Sequence, residues 1–386
     1  MSRSVNLILA LLLLGPAAHP ASCVLRPTGS GNGAGQQVAG HRILKIFNSQ
    51  NSYLGAFTGG GHRLDPDVVF EDSHERFWFG GNSGPLVAMY EDRTGRWNVF
   101  TADPEPRETF IDQTGAILPT DTVTTIVESS DGRIWFSASF GETLEARTRA
   151  KQGGNGVYVT YFDGTRWGIP NVPLGTDATR GQAVCGLGAF PGRDGRVWFW
   201  RDSRLTSYDG RGWSHTIELK DIFGPGSGRW FISAGAEDRQ GRLWLQTEQG
   251  VIRSDAARRN WARFPQISGT QIIYQDHEGR LWFGGYRSLV AIDTNGEQIR
   301  AYWPPASLRG LGPDSYLLVT GICQDREGRM ILALGQRLLT YDERNDKWES
   351  FDIEPLGLGS LAWRILEDHS GRIWITTGGG VLVLDP

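Results

Sequence analysis

The residues of this sequence best suited to chemistry are aromatic rings interspersed with arginine and glutamine. They occur at predicted strand ends or in long loops, and they are Trp200, Arg201, Trp230, Gln271, Tyr286, Arg287, Trp303, Tyr316 and Trp363. Aromatic faces stack on sugars, and the polar groups add hydrogen bonds, so this set predicts a site for a carbohydrate or another polar ligand. The alternative, that these side chains only plug a channel or cover the bases of loops, stays open for each residue.

Other groups of reactive residues point away from catalysis. His74, His277 and His369 lie at turn tips in different repeats, so we do not expect them to share a metal ion. Acidic pairs such as Glu71-Asp72 recur with the repeat and are explained by turns, and the basic run ARTRAK at 146–151 is typical of a solvated loop. The sequence contains no H-E-x-x-H, G-x-S-x-G, C-x-x-C or phosphate-loop motif. We therefore predict no catalytic residue, no metal and no cofactor.

A repeated strand–turn–strand unit must position the candidate residues. Its last copy is EDHSGRIWITTGGGVLVLD (367–385), and related stretches occur at 71–81, 128–138, 191–201, 237–247, 275–285 and 324–334. Alternating apolar residues predict half-buried strands, and the Asp/Gly clusters between them predict hairpin turns. A unit that recurs at a spacing of roughly 40–60 residues is typical of a β-propeller with one unit per blade.

Each unit carries a D-x-x-G turn followed by a tryptophan. The residue at the glycine position is, in order, Glu75, Gly132, Gly195, Gly241, Gly279, Gly328 and Gly371. Aspartate stands three residues earlier in five repeats, and tryptophan three residues later in six, with Ile331 as the exception. We expect the aspartate to accept backbone N–H bonds, the glycine to adopt positive φ, and the tryptophan layer to hold neighbouring blades together.

The outer strands predict how the ring closes. Most blades have a second tryptophan in their fourth strand, at Trp97, Trp167, Trp213, Trp261 and Trp348, and blade five has Ile299 and Tyr302 instead. The seventh unit has no fourth strand, so we expect HRILKIFN (41–48) to supply it. The predicted fold is all-β: a single seven-bladed β-propeller over 41–386, with four-stranded antiparallel blades, whose last blade is closed by an N-terminal strand.

The long insertions predict where a site lies. In antiparallel blades the first–second and third–fourth turns share one face of the disc, here called the turn face. The remaining connections share the other face, which we call the insertion face. All long insertions fall on the insertion face, at 48–66, 101–122, 137–156, 170–182, 214–229 and 304–315. Long loops on a rigid scaffold commonly carry binding, so we place the site at the channel mouth on the insertion face.

The N-terminus predicts export. Arg3 precedes the apolar run 7–14 and a stretch of small residues, which is the layout of a secretory signal peptide over 1–22. Cys23 is a candidate lipid anchor, although Pro20 stands where a lipoprotein signal normally has leucine. Residues 23–40 have the composition of a flexible linker. We therefore expect a periplasmic or extracellular protein, with lipidation as the less favoured variant.

Bulk composition narrows the partners. The 386 residues carry a net charge of −4, so no general basic field attracts nucleic acid. No apolar run reaches 18 residues, so we expect no transmembrane span. Cys185 and Cys323 fall in the inner strands of non-adjacent blades, and we expect inert thiols rather than a disulfide.

The repeat resembles a known family. The pattern I/V-x-x-I-x-E-D-x-x-G-R-L/I-W followed by G-V/L-x-x-x-D, best seen at 232–255 and 363–385, is similar to the two-component regulator propeller repeat. This resemblance covers 68–386. It implies a periplasmic sensor propeller that binds a ligand, often a carbohydrate, and that works with a membrane histidine kinase. No kinase sequence follows the last repeat, so we expect any signalling to pass through a membrane signalling protein as partner.

Two other functions stay open. A propeller enzyme of the sialidase or streptogramin-lyase type would act at the same face, and a protein-interaction disc would use a rim or a flat face. A sialidase needs an arginine cluster with a Tyr/Glu pair, and the spacing of Arg180, Arg201, Arg229 and Arg287 does not support one. A ligand-binding module is the interpretation we favour, and an enzyme the alternative.

Overall fold

The computed structural model describes thirteen longer or shorter stretches and two isolated residues of the chain. These are residues 37–38, 40–52, 54, 65–81, 86–101, 123–137, 159–168, 170–174, 187–224, 230–286, 288–293, 295, 297–305, 318–359 and 361–385. The predicted signal peptide and most of the predicted linker lie outside them, as do Cys23 and Cys185.

The strands of the first three blades follow the repeat. Two strands precede the first repeat, namely β1 (Gln37–Val38) and β2 (His41–Asn48). Blade one contains β3 (Pro66–Glu71), β4 (Arg76–Gly81), β5 (Leu86–Glu91) and β6 (Arg96–Thr101). Blade two contains β7 (Thr125–Glu128), β8 (Ile134–Ser137), β9 (Val159–Phe162) and β10 (Trp167–Gly168). Blade three contains β11 (Leu187–Pro191), β12 (Val197–Arg201), β13 (Arg204–Tyr208) and β14 (Ile217–Glu218).

The remaining blades repeat this order. Blade four contains β15 (Ile232–Glu237), β16 (Leu243–Thr247), β17 (Gly250–Ser254) and β18 (Trp261–Phe264). Blade five contains β19 (Thr270–Gln275), β20 (Leu281–Gly285), β21 (Ser288–Ile292) and β22 (Ile299–Ala301). Blade six contains β23 (Val319–Gln324), β24 (Met330–Leu334), β25 (Arg337–Asp342) and β26 (Lys347–Asp352). Blade seven contains β27 (Ala362–Glu367), β28 (Ile373–Thr377) and β29 (Gly380–Leu384). A short helix α1 (Leu219–Phe223) and 3-10 turns at Arg193–Gly195 and Glu354–Leu356 complete the described elements.

Seven antiparallel sheets form a closed ring. The first strand of each blade lies at one edge of its sheet. It contacts the first strands of both neighbouring blades, and β27 contacts β3 to complete the circle. The predicted seven-bladed propeller is therefore confirmed, with the first strands innermost.

The N-terminal strand closes the ring as predicted. β2, here called the clasp strand, pairs antiparallel with β29 from Ile43 opposite Leu384 to Asn48 opposite Gly380. The two-residue β1 adds a fifth strand to the same sheet, and its Val38 is fully buried. The ordered ring thus reaches into the segment that composition predicts to be linker, because Val38 has an apolar site to fill.

Charged contacts fix the clasp strand to three blades. The Lys45 ammonium binds the carboxylate of Asp92 in blade one, and Asp92 also binds Arg372 of blade seven. The His41 ring donates from Nδ1 to the Asp385 carbonyl at 2.9 Å, and its Nε2 lies 3.1 Å from Asp325 of blade six. One strand therefore joins the last two blades to the first.

The clasp contacts predict a pH dependence. Burial alone would raise the pKa of Asp92, but the hydrogen bonds from Lys45 and Arg372 outweigh it and hold the pKa below the ordinary value of 3.8. A carboxyl with a lowered folded pKa stabilises the folded state above pH 3.8, and this contribution is lost as the pH falls further. We expect Asp92→Asn to lower the melting temperature at pH 7, and the difference from wild type to shrink below pH 4.

The matched control is Glu248→Gln, at an exposed turn of blade four. It should shift the melting temperature little at any pH. A constant Asp92→Asn deficit from pH 7 to pH 3 would contradict the assignment.

The core consists of seven apolar clusters, one at each junction between neighbouring blades. The six tryptophans of the predicted series are its largest side chains and are at most 2% exposed, at Trp78, Trp135, Trp198, Trp244, Trp282 and Trp374. The predicted tryptophan layer between blades is therefore confirmed. The outer-strand prediction is confirmed as well, except that Trp213 pairs with Tyr208 just before β14.

The turn aspartate has a larger role than the sequence indicates. In blade four, Asp238 Oδ1 accepts the backbone N–H groups of Gln240 and Arg242, at 3.0 and 2.9 Å. Its Oδ2 accepts from Arg242 Nε and from Trp244 Nε1, both at 2.7 Å. One carboxylate thus ties the turn, the arginine and the buried indole together. The same aspartate–arginine–tryptophan group recurs in blades one, five and seven.

The residues at the glycine position of the turn all have positive φ, from 61° at Glu75 to 89° at Gly279. This confirms the predicted left-handed turn. Glycine adopts that conformation without steric cost, so its recurrence follows from the backbone.

Candidate functional site

All long connections of the disc emerge at one end of the strands. The strand order puts each fourth-to-first connection and each second-to-third connection on the insertion face. The predicted insertions join strands at that end, for example β8 to β9 and β10 to β11. The exception is 214–229, which contains the outer strand β14 and the helix α1. The D-x-x-G turns lie at the opposite end of the same strands.

Five inner strands carry a β-bulge near their first residue. The register shifts between Pro66 and Val68 in β3, and at the equivalent places in β15, β19, β23 and β27. The residues in these bulges are Asp67, Ser233, Gln271, Thr320 and the pair Trp363-Arg364. A bulge interrupts the ladder and re-aims side chains, and bulges are over-represented beside active sites. Because inner strands begin at the insertion face, these residues form a mostly polar ring at the channel mouth, which we call the bulge ring.

Arg364 is the charged group of the bulge ring best defined by its contacts. Its Nη1 donates to the Thr320 carbonyl at 3.3 Å, and its backbone N–H donates to Thr376 Oγ1 at 3.0 Å. Burial lowers the pKa of Arg364, and Asp67 partly offsets this shift. The side chain is nevertheless exposed to solvent. Both observations fit a guanidinium that stands in a narrow, water-accessible channel walled by strands.

Four of the residues predicted to bind ligand are accessible near this face. Gln271 is exposed in the bulge of β19, and Trp363 is partly exposed in the bulge of β27. Tyr286 is 45% exposed at the end of β20, and Trp303 is 51% exposed just after the outer strand β22. Gln271 and Trp363 therefore lie in the bulge ring, with Tyr286 and Trp303 at the ends of blade-five strands on the same face.

Two predicted tryptophans lie in the protein interior instead. Trp200 is 7% exposed and fills the space above Gly188, where a Cβ atom would lie 2.0 Å from the indole. Trp230 is 3% exposed and stacks on Phe223 with ring centroids 4.4 Å apart. Both belong to the core cluster between blades three and four, so packing accounts for them.

The last three predicted residues add little to the described site. Arg201 is partly buried at the end of β12, opposite Leu187 and Arg204 in the ladder. Arg287 and Tyr316 lie outside the described residues.

Sequence reasoning missed Asp67, Ser233, Thr320 and Arg364. A usable signal exists, because the first three of these stand four residues before the Glu or Gln that precedes the turn. Gln271 and Trp363 occupy the same column. An alignment of the repeats would have shown that this position, at the start of each inner strand, is mostly polar.

The turn face holds charged groups that satisfy one another. His41, Asp325 and Glu327 are the one grouping of potential metal ligands in the described part of the chain. Arg329 binds all three, with Nε 2.8 Å from Asp325 and Nη2 at 2.8 Å from Glu327 and 3.0 Å from His41. A guanidinium in this position repels a cation, so we assign the group to the clasp rather than to a metal.

The turn histidines also bind locally. His277 Nε2 lies 3.4 Å from Glu367, and His369 binds Glu71. These pairs lie at different places on the turn face, in keeping with the prediction that the histidines do not share a metal.

Comparison with solved structures finds other proteins that share this fold. The extracellular domain of a protein described as a one component system from B. thetaiotaomicron has a TM-score of 0.59 at 13% identity, covering 88% of this chain and 40% of that one. A catalytically inactive virginiamycin B lyase from Staphylococcus aureus, with quinupristin, has a TM-score of 0.58 at 15% identity, covering 84% and 96%. PorZ of the type-IX secretion system of Porphyromonas gingivalis has a TM-score of 0.58 at 15% identity, covering 84% and 46%. At these identities the likeness shows the fold alone. No curated protein sequence matches the chain.

The chain is thus a seven-bladed β-propeller, and one part of its sequence matches a known propeller repeat. The sequence model described as two component regulator propeller matches residues 117–140, within blade two. This match agrees with the resemblance to the two-component regulator propeller repeat seen in the sequence. Within the described residues, no helix has the length and apolarity needed to cross a membrane.

Proposed function

We propose that this protein is an exported ligand-binding propeller of the two-component sensor type, which binds a carbohydrate or a similar polar ligand at the insertion-face mouth of its channel. The observation that carries the proposal is the bulge ring. Five of the seven inner strands break their ladder at the same place, and polar residues occupy nearly all of those breaks. Bulges are unpaired residues that cost ladder hydrogen bonds, so their repetition at one rim of the channel favours a functional role.

The surroundings of the ring suit a sugar. Gln271 and Ser233 are exposed and offer hydrogen-bond donors and acceptors, and Trp363 and Tyr286 offer aromatic faces. The relative from B. thetaiotaomicron is described as the extracellular domain of a one component system, and the proposal extends an exported setting to this chain. The partner that this proposal implies is a membrane signalling protein, and a lipid anchor at Cys23 is a variant of the same proposal.

The test is a thermal-shift screen of the purified full chain against a panel of glycans, followed by calorimetric titration of each stabilising glycan. We expect at least one oligosaccharide to raise the melting temperature. We also expect Gln271→Ala and Trp363→Ala each to weaken its binding about tenfold or more, since each removes a direct contact.

The matched control is Gln266→Ala, an exposed glutamine outside the bulge ring. It should bind like wild type. Absence of binding by every glycan would refute the proposal, and turnover of a bound ligand would support a propeller enzyme of the lyase type instead. Equal loss of binding in the control would show that the ring is not the site.

A further inference from the structure

Arg364 differs from the turn arginines of blades one, four, five, six and seven, each of which forms an ion pair with the aspartate of its own turn. In the repeated turns, arginine lies against an aspartate, as Arg242 does with Asp238 at 2.7 Å. Arg364 instead makes one side-chain hydrogen bond, to a backbone carbonyl, and no ion pair with a described carboxylate. A guanidinium has five N–H donors, so most of the hydrogen-bonding capacity of Arg364 is left for water or a ligand.

The charge nearest to Arg364 does not neutralise it by direct contact. Asp67 attracts Arg364 from the neighbouring inner strand β3, but the two do not form one of the ion pairs of the described residues. Arg364 is exposed to solvent and has no close counter-ion among the described residues, so an anion that enters the channel can pair with it directly. The planar guanidinium also matches a carboxylate with two parallel hydrogen bonds.

The other members of the bulge ring define the rest of the ligand. Ser233 and Gln271 can bind hydroxyl groups, and Trp363, the residue before Arg364 in the same bulge, offers an aromatic ring. This combination fits a sugar ring that carries a carboxylate.

We infer that the ligand of the bulge ring is an acidic oligosaccharide whose uronic-acid carboxylate pairs with Arg364. The inference rests on the proposed function and narrows its ligand to one class. Neutral glycans with the same backbone should bind weakly, because they leave the guanidinium without its counter-charge.

The experiment titrates the full chain with oligosaccharides from polygalacturonan, alginate and hyaluronan. Methyl esters of the same oligosaccharides differ only in charge and serve as neutral partners. We expect at least one acid to bind about tenfold or more tightly than its ester, and Arg364→Gln to remove this preference. Arg364→Lys keeps the positive charge but loses the planar group that donates two parallel hydrogen bonds, so it should retain part of the preference for the acid.

Arg211→Gln, at an exposed turn on the turn face, is the matched control and should retain the full preference. Melting temperatures of all variants confirm that each is folded. If acids and esters bind equally, or if Arg364→Gln keeps the preference, the inference is wrong while the proposed function stands. If no acid, ester or neutral glycan binds, both are wrong.

Discussion

Phe47→Ala should lower the free energy of unfolding by about 3–5 kcal/mol, the cost of emptying a well-packed aromatic site. Phe47 is 8% exposed on the clasp strand, and its ring lies 5.0 Å from Tyr90, 5.4 Å from Trp97 and 6.1 Å from Trp374 by centroid. It therefore packs the clasp strand against blades one and seven together. Urea unfolding gives the free energy, and amide hydrogen exchange should show the largest loss of protection in β29, the strand paired with the clasp.

Leu44→Ala on the same strand is the control, because Leu44 is 39% exposed. It should cost well under half as much. A Phe47→Ala variant with wild-type stability would mean that the ring closes without the clasp strand.

Asp238→Ala should cost about 3–5 kcal/mol, because it removes the acceptor of a buried indole N–H and the ion-pair partner of a partly buried arginine. Asp238 is 1% exposed, and Trp244 behind it is fully buried. Chemical unfolding measures the loss, and the indole N–H resonance of Trp244 should shift and exchange faster.

Asp209→Ala is the comparison, since Asp209 is an exposed turn aspartate that accepts two backbone N–H groups, from Arg211 and Gly212. Its effect should be much smaller. Equal effects of the two substitutions would show that the turn alone, and not the buried network, gives the aspartate its importance.

The ring could be predicted from the sequence because its information is local and repeated. The residues of each unit indicate its own turn and strands, and the presence of seven copies indicates seven blades. The acceptor for each tryptophan could not be predicted wherever a unit departs from the pattern. Trp135 Nε1 donates to Ser129 in its own blade, whereas Trp198 Nε1 donates to Glu237 of the next blade. Ser129 takes the place of the turn aspartate, six residues before its tryptophan, whereas the contact of Trp198 with Glu237 depends on how the blades pack.

Blade six shows the same limit. Ile331 replaces the tryptophan there and leaves Asp325 without an indole donor. His41 lies at that carboxylate in three dimensions, although 284 residues separate the two in sequence. The closure of the ring by the strand at 41–48 could be predicted from the sequence. The contact of His41 with Asp325, the turn aspartate whose blade lacks the tryptophan, could not.

The location of the candidate site on the insertion face stays a prediction, and only some of its predicted residues lie together in the structure. Loop lengths indicate the insertion face, and Gln271 and Trp363 do lie in the bulge ring. Trp200 and Trp230 were expected at the site because they lie outside the repeating tryptophan series. A tryptophan of this kind can also pack in the core, as Trp200 does above Gly188. The bulges themselves depend on strand register, which no residue type marks.

The backbone enters and leaves the propeller at nearly one point. The Asp385 N–H donates to the Arg42 carbonyl at 2.9 Å, so the last strand ends beside the beginning of the clasp strand, on the turn face. The described chain therefore begins and ends near the face away from the bulge ring. A pull between these two ends would load β1, the clasp strand and β29 before any other part of the disc, because the described chain begins and ends in these strands.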